Sequence, residues 1–271
     1  MLSILDFTKK KRKGEKITMI TCYDYTSAVL TGKTGVDCIL VGDSLAMTMH
    51  GFETTVSATT EMMALHIAAV ARGATDKFII GDMPFLSYRK ALSDNMDAVQ
   101  QIMQAGAHAV KLEGTAGNVG FIRHLVDSGV PVMGHIGLTP QFVHQLGGYR
   151  VQGRDDKAAK QLLQDAKALE EAGCFALVME CVPAPLAKKI TESVGIATIG
   201  IGAGADTDGQ VLVFQDLLGL NTDFRPKFVK QYLGGADLVT GAIDSYVEEV
   251  KTGVFPDAAY SFDAAKLAQP A

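Results

Sequence analysis

Along the chain, short runs of β-branched and other apolar residues alternate with longer segments whose apolar residues recur three and four positions apart. Residues 17–22, 38–41, 78–81, 109–112, 130–134, 175–179, 197–201 and 211–214 read as eight strands. Between them, 61–72, 93–105, 118–127, 157–172 and 185–194 read as helices. Gly73, Gly106, Gly129 and Gly173 stand where helix C-termini favour a residue free to take positive φ. Regular alternation of strand and helix predicts parallel βαβ units. Eight units without a Pro/Ser-rich linker fit an α/β fold of one (β/α)8 TIM barrel better than an open doubly wound sheet.

The 271 residues permit either two ordinary domains or one barrel of about 250 residues, and the unbroken alternation favours the barrel. The expected organisation is a single domain: a lead-in helix at 1–16, the barrel at 17–222, and a C-terminal helical extension at 223–255. Within the extension, 224–251 regain a helical pattern; an Ala/Pro-rich, weakly ordered tail follows at 256–271. Two connections, 43–60 and 134–156, are longer than the roughly 12–15 residues of ordinary loops. Both leave the C-terminal ends of strands, the face on which barrel enzymes build their sites, and the second is expected to help close it.

Composition narrows the function. With 48% apolar and 20% charged residues the chain has ample core for a globular protein. Twenty-five basic against 30 acidic residues give a net charge of −5, without the basic field that nucleic-acid binding requires. No stretch reaches the 18 apolar residues of a membrane span. The basic run Lys9 to Lys13 follows the apolar start instead of preceding it, the reverse of a signal peptide. That run reads as an exposed, solvated helix end, the alternative being a nuclear-localisation or polyanion patch. Cys22, Cys38, Cys174 and Cys181 form no C-x-x-C pair and read as reduced, buried thiols of a cytoplasmic protein.

The expected strand ends carry Asp24, Asp43, Asp82, Lys111 with Glu113, His135, Glu180, Gly202 with Gly204, and Asp216. Helix capping accounts for Asp24 and Asp216. It fits Asp43, Asp82 and Glu113 less well, because like charges gathered at one mouth repel and need a compensating cation. Oxygen ligands without clustered Cys or His favour Mg2+ or a similarly hard ion. Period-two alternation in Val110-Lys-Leu-Glu113 sends Lys111 and Glu113 to the barrel axis. They are either a buried ion pair or, for Lys111, a holder of an anionic substrate beside the metal. Glu180, reached through an apolar run, is either a satisfied core glutamate or a base for proton abstraction. His135 is a hydrogen-bonded interior histidine, a metal ligand or an acid/base. Gly200 to Ala205 matches G-x-G-x-x-A, but Asp206 and Asp208 oppose a pyrophosphate there, so tight turning is the better reading.

Leu40-Val-Gly-Asp-Ser-Leu45, Gly81-Asp-Met-Pro-Phe85, Val110-Lys-Leu-Glu-Gly114, Gly134-His-Ile-Gly-Leu-Thr-Pro140, Gly148-Tyr-Arg-Val-Gln-Gly-Arg154, Glu180-Cys-Val-Pro183 and Ile199-Gly-Ile-Gly-Ala-Gly204 together resemble the ketopantoate hydroxymethyltransferase family. The motifs run in order from Thr21-Cys-Tyr-Asp-Tyr25 to Gly253-Val-Phe-Pro256, nearly the whole chain. The resemblance implies a (β/α)8 barrel, typically assembled as a homo-oligomeric decamer. It also implies transfer of a one-carbon unit from 5,10-methylenetetrahydrofolate, the co-substrate, to 3-methyl-2-oxobutanoate, opening pantothenate synthesis. By the same resemblance Asp43, Asp82 and Glu113 are ligands of one Mg2+ per subunit, some of them through water. Asp43, Ser44, Asp82 and Lys111 line the keto-acid site, and Glu180 is the catalytic base. Ala46 stands where many members have glycine, and Cys22 where alanine is common; the first bears on substrate affinity. Two other readings stand beside this one: another Mg2+-dependent barrel that makes or breaks a C–C bond beside a 2-oxo acid, and a catalytically silent ligand-binding barrel.

Overall fold

The structure, a computed structural model, describes residues 1–222 and 225–262. Eight parallel strands close into a barrel in sequence order, β8 pairing back onto β1. They are β1 (Ile17–Thr21), β2 (Cys38–Val41), β3 (Phe78–Asp82), β4 (Ala109–Glu113), β5 (Val132–Gly137), β6 (Ala176–Glu180), β7 (Ala197–Ile201) and β8 (Gly209–Leu212). The helices are α1 (Ile4–Lys13), α2 (Tyr25–Gly32), α3 (Leu45–Thr48), α4 (Thr60–Gly73), α5 (Leu92–Gln104), α6 (Val119–Asp127), α7 (Val143–Leu146), α8 (Asp156–Glu171), α9 (Ala184–Ser193), α10 (Phe214–Leu217) and α11 (Gly235–Thr252). The TIM barrel expected from the alternation of apolar runs is therefore present.

Strand positions differ from expectation by more than one residue in two places. β5 begins at Val132 instead of 130, because Pro131 has no N–H to give the ladder; its carbonyl still accepts from Val110. β8 lies two residues earlier than expected, since Gly209 and Gln210 carry no apolar signal and Phe214 already opens α10. The connection 202–208 between β7 and β8 is non-helical. Its Asp208 carboxylate instead accepts from the Thr198 backbone N–H at 2.8 Å and from Lys11 Nζ at 2.9 Å.

Apolar side chains separate into two layers, as strand alternation requires. Val110 and Leu112 point outward into a cluster with Ile67, Ile102, Ile122 and Leu169 of the surrounding helices. Inside, Met19, Leu40, Ile80, Met133, Val178 and Ile199 fill the barrel. Phe7 of α1 closes its N-terminal end, edge-on to Phe78 and Phe175 at centroid distances of 5.7 and 5.0 Å. The basic end of α1 is not simply solvated: Lys10 pairs with Asp37 at 2.9 Å and Lys11 with Asp208. Asp24 caps α2 through the Ser27 N–H, as expected.

Residues 1–214 with 227–229 form one compact unit, and the described residues among 215–226 and 230–262 belong to a second. Where a helical pattern is expected over 224–251, the helix is α11, which begins only at Gly235, after Pro226 and the N-cap Gly234; residue 224 lies outside the described residues. After α11, Phe255 packs on Tyr246 and Tyr260. The expected weakly ordered tail lies outside the described residues from 263 onward. Among the described residues no helix is long and apolar enough to cross a membrane.

Candidate active site

The C-terminal mouth of the barrel gathers Asp43, Asp82, Lys111, Glu113, His135 and Glu180, contributed by the ends of β2 to β6. All but Glu180 are at least 96% buried. Lys111 and Glu113 point inward as the alternation predicts. Lys111 Nζ stands 3.1 Å from Asp82 Oδ1 and 3.3 Å from His135 Nδ1.

Each of the three carboxylates is tied by one oxygen to an amide N–H. Asp82 Oδ2 accepts from the Asp43 backbone at 3.0 Å, Asp43 Oδ2 from Gln141 Nε2 at 2.8 Å, and Glu113 Oε2 from the Gln141 backbone at 3.0 Å. Asp82 Oδ1 faces Lys111 without the angle of a hydrogen bond, and the buried Glu113 Oε1 has no hydrogen-bond partner among the described residues. Gly42 keeps this turn open: a Cβ on it would meet Ser44 Oγ at 2.9 Å, so any larger residue would displace the Ser44 hydroxyl.

Burial and mutual repulsion shift the protonation equilibria. Desolvation, then the charges of Asp82 and Glu113, raise Asp43 well above its ordinary value. Desolvation raises Asp82 against the pull of Lys111, and pushes Glu113 up to about 7. For Lys111, desolvation is outweighed by Asp82, Glu113 and Asp43, which hold it protonated. Burial and the Lys111 charge lower His135, so its imidazole is neutral near pH 7. That ring bridges the cluster to its rim: Nδ1 is 3.3 Å from Glu113 Oε1 and Nε2 is 3.4 Å from Glu180 Oε2.

Glu180 ends β6, and its side chain retains 17% exposure, the most accessible carboxylate of the set. The strand turns sharply after it: Cys181 takes φ 49°, a left-handed conformation costly for a non-glycine residue and concentrated at functional sites. At Gly137 of β5 (φ 92°) glycine is indispensable, since an added Cβ would run into the Glu180 carbonyl. Ser44 Oγ lies at the rim, 2.7 Å from the buried Tyr23 hydroxyl. From the long connection after β5, Tyr149 donates to Met47 Sδ of α3 at 3.6 Å, so the two long loops meet.

Gln141, and Tyr88 whose hydroxyl donates to its Oε1, also belong to this cluster, and sequence reasoning passed over both. Cys181 also departs from expectation, being half-buried while Cys22, Cys38 and Cys174 are buried. Gly202 (φ 63°) and Gly204 (φ 82°) serve a tight turn, in keeping with their reading as turn residues.

A closed parallel barrel whose mouth holds this polar cluster defines a TIM-barrel enzyme. Solved structures share the fold: phosphonopyruvate hydrolase in complex with oxalate and Mg2+ superposes with a TM-score of 0.63 at 11% identity, covering 98% of this chain and 94% of that one. A 2,3-dimethylmalate lyase of the PEP mutase/isocitrate lyase superfamily gives 0.59 at 14% identity, covering 98% and 94%. At the level of sequence, the 3-methyl-2-oxobutanoate hydroxymethyltransferase of Bdellovibrio bacteriovorus is 60% identical over 262 residues, covering 97% of this chain and 100% of that protein. The corresponding protein of Coxiella burnetii is 59% identical over 252 residues, covering 93% and 95%. The family model for ketopantoate hydroxymethyltransferase matches residues 1–258. The chain belongs to the ketopantoate hydroxymethyltransferase family.

Proposed function

We propose that the protein transfers a hydroxymethyl group from 5,10-methylenetetrahydrofolate to 3-methyl-2-oxobutanoate. The products are 2-dehydropantoate and tetrahydrofolate, one water is consumed, and the reaction opens pantothenate synthesis. Family membership supports the reaction class. The observation that carries the mechanism is the buried mouth in which three carboxylates, each anchored by one oxygen, surround a single lysine.

That mouth suits a hard divalent cation. Fully ionised, Asp43, Asp82 and Glu113 with Lys111 sum to −3 + 1 = −2, which one Mg2+ balances. Every free donor of the three carboxylates is oxygen, and the buried Glu113 Oε1 lacks a hydrogen bond that a cation would replace. Asp43, Asp82 and Glu113 would hold the ion, some of them through water. When bound, Mg2+ supplies Lewis-acid stabilisation of negative charge developing on the keto oxygen of the substrate.

The chain's own groups do the rest. Lys111 places a fixed positive charge for the substrate carboxylate, and Ser44 with Asp82 lines the same pocket. Glu180, at the rim and within reach of solvent, removes the C3 proton, a positioned base worth about 10²–10⁴-fold. Neutral His135, with Nε2 3.4 Å from Glu180 Oε2, stands beside the base without adding a charge. The carbon nucleophile then attacks the methylene of the folate held over the mouth, where the meeting of Tyr149 with Met47 shields the site from water.

The exposed apolar side chains of α11, among them Leu238, Ile243 and Tyr246, support assembly as a homo-oligomer, the decamer of the family resemblance. Four free thiols support a reducing, cytoplasmic setting. Product formation tests the reading: with both substrates and Mg2+, 2-dehydropantoate and tetrahydrofolate should appear in equal amounts. Turnover of the keto acid without folate would point to a C–C lyase or mutase, and no turnover to a ligand-binding barrel.

A further inference from the structure

We infer that Gln141 is the positioning residue of the cation cradle, and that the Tyr88 hydroxyl reinforces the orientation of its amide. The inference rests on the reading of Asp43, Asp82 and Glu113 as the cradle. Gln141 lies in the single helical turn Pro140–Phe142 after β5, yet it touches carboxylates from two other strands. Its backbone N–H holds Glu113 Oε2, and its side-chain amide holds Asp43 Oδ2. The second Nε2 proton goes to the Met83 carbonyl at 2.9 Å, so the donor capacity of the amide is fully used.

An amide presents its oxygen as readily as its nitrogen. Flipped, Gln141 would aim Oε1 at Asp43 Oδ2 and the Met83 carbonyl, placing three acceptors together. The acceptor-only Asp43 carboxylate and Met83 carbonyl oppose this, and the buried Tyr88 hydroxyl reinforces the observed orientation by donating to Oε1 at 2.6 Å. Tyr88 is itself held in place: the Arg89 guanidinium lies 5.4 Å from its ring and 5.3 Å from that of Phe142, joining the loop after β3 to the Gln141 turn. Tyr88, Gln141 and the two carboxylates thus form one chain of directed hydrogen bonds. It fixes one oxygen of Asp43 and one of Glu113, and the buried Glu113 Oε1 is left without a hydrogen bond among the described residues. Partners of this kind behind metal ligands typically govern affinity by about 10–100-fold.

The test is calorimetric titration of MgCl2 into metal-stripped protein, repeated with CaCl2, for the parent, Gln141→Met and Tyr88→Phe. Gln141→Met should raise the Mg2+ Kd by about 10–100-fold. Tyr88→Phe, which deletes one oxygen and keeps the ring, should raise it by a smaller factor in the same direction. Both should lower the preference for Mg2+ over Ca2+, since Mg2+ demands the stricter geometry; a purely structural role for the turn would not move that ratio. If Gln141→Met fails to fold, Tyr88→Phe still decides. Folded variants with the parent's Kd and Mg2+/Ca2+ ratio would overturn the positioning role alone. Absence of Mg2+ binding by the parent would overturn the cation reading, and this inference with it.

Discussion

Replacing Lys111 by methionine removes the one cation from a cluster of three buried carboxylates. With Lys111 Nζ 3.1 Å from Asp82 Oδ1, the Coulomb attraction at an effective dielectric constant of about 20 is about 5 kcal/mol. Breaking one partner of a buried pair typically costs about 3–5 kcal/mol, and at about 2–4 °C per kcal/mol the melting temperature should fall by about 10 °C. The loss should depend on pH in a determined direction. In the parent, burial pushes Glu113 up to about 7 from an ordinary 4.5. The folded chain therefore binds more protons than the unfolded one across that window, and stability falls as pH rises through it. Without Lys111 the carboxylates are raised further, so the folded variant loses stability more steeply than the parent as pH rises. Thermal melts in chelator at pH 5.5 and pH 8 should show a deficit that widens at the higher pH. A deficit of equal size at both, or one below about 1 kcal/mol, would refute the view that Lys111 balances this charge.

Other perturbations separate the parts of the site. Gly137→Ala forces a Cβ against the Glu180 carbonyl and should lower kcat/KM by about 10–100-fold through displacement of the base; assayed kinetics at the parent's level would show that β6 gives way freely. Phe7→Ala should cost about 3–5 kcal/mol in denaturant unfolding. Its kcat should stay within about twofold, because Phe7 seals the end of the barrel opposite the chemistry. Burial pushes the thiols of Cys22 and Cys181 up to about 11 and that of Cys174 up to about 12. Ellman titration of the native protein should accordingly find at most a slow reaction at Cys181, and all four thiols only after unfolding.

Much of this was legible in the chain because strand periodicity is a strong constraint. The alternation of Val110, Lys111, Leu112 and Glu113 specifies which side chains enter the barrel, and parallel closure then brings them beside Asp82 and His135 without further information. Glu180 was legible for the same reason, as the first carboxylate after an apolar run. The Gln141 link was not, because Asp43 and Gln141 are 98 positions apart and the contact depends on a short turn that no periodicity marks. Tyr88 was hidden likewise, in a loop whose conformation includes a left-handed Leu86 at φ 60°. The start of β8 was missed because Gly209 and Gln210 earn their place in the ladder by backbone pairing with Ile17 and Thr18, not by apolar character. Lys11 read as solvated since its partner, Asp208, becomes a neighbour only when the barrel closes.

The central claim is that Glu180 removes the C3 proton of 3-methyl-2-oxobutanoate at a mouth completed by a divalent ion. Proton NMR of the keto acid in D2O, with enzyme and Mg2+ but no folate, observes that step by itself. The account predicts rapid loss of the C3 proton signal with the parent, and almost none with Glu180→Gln or in the presence of chelator. Exchange by the Gln variant as fast as the parent's would remove Glu180 from its role, and exchange that survives chelation would remove the metal.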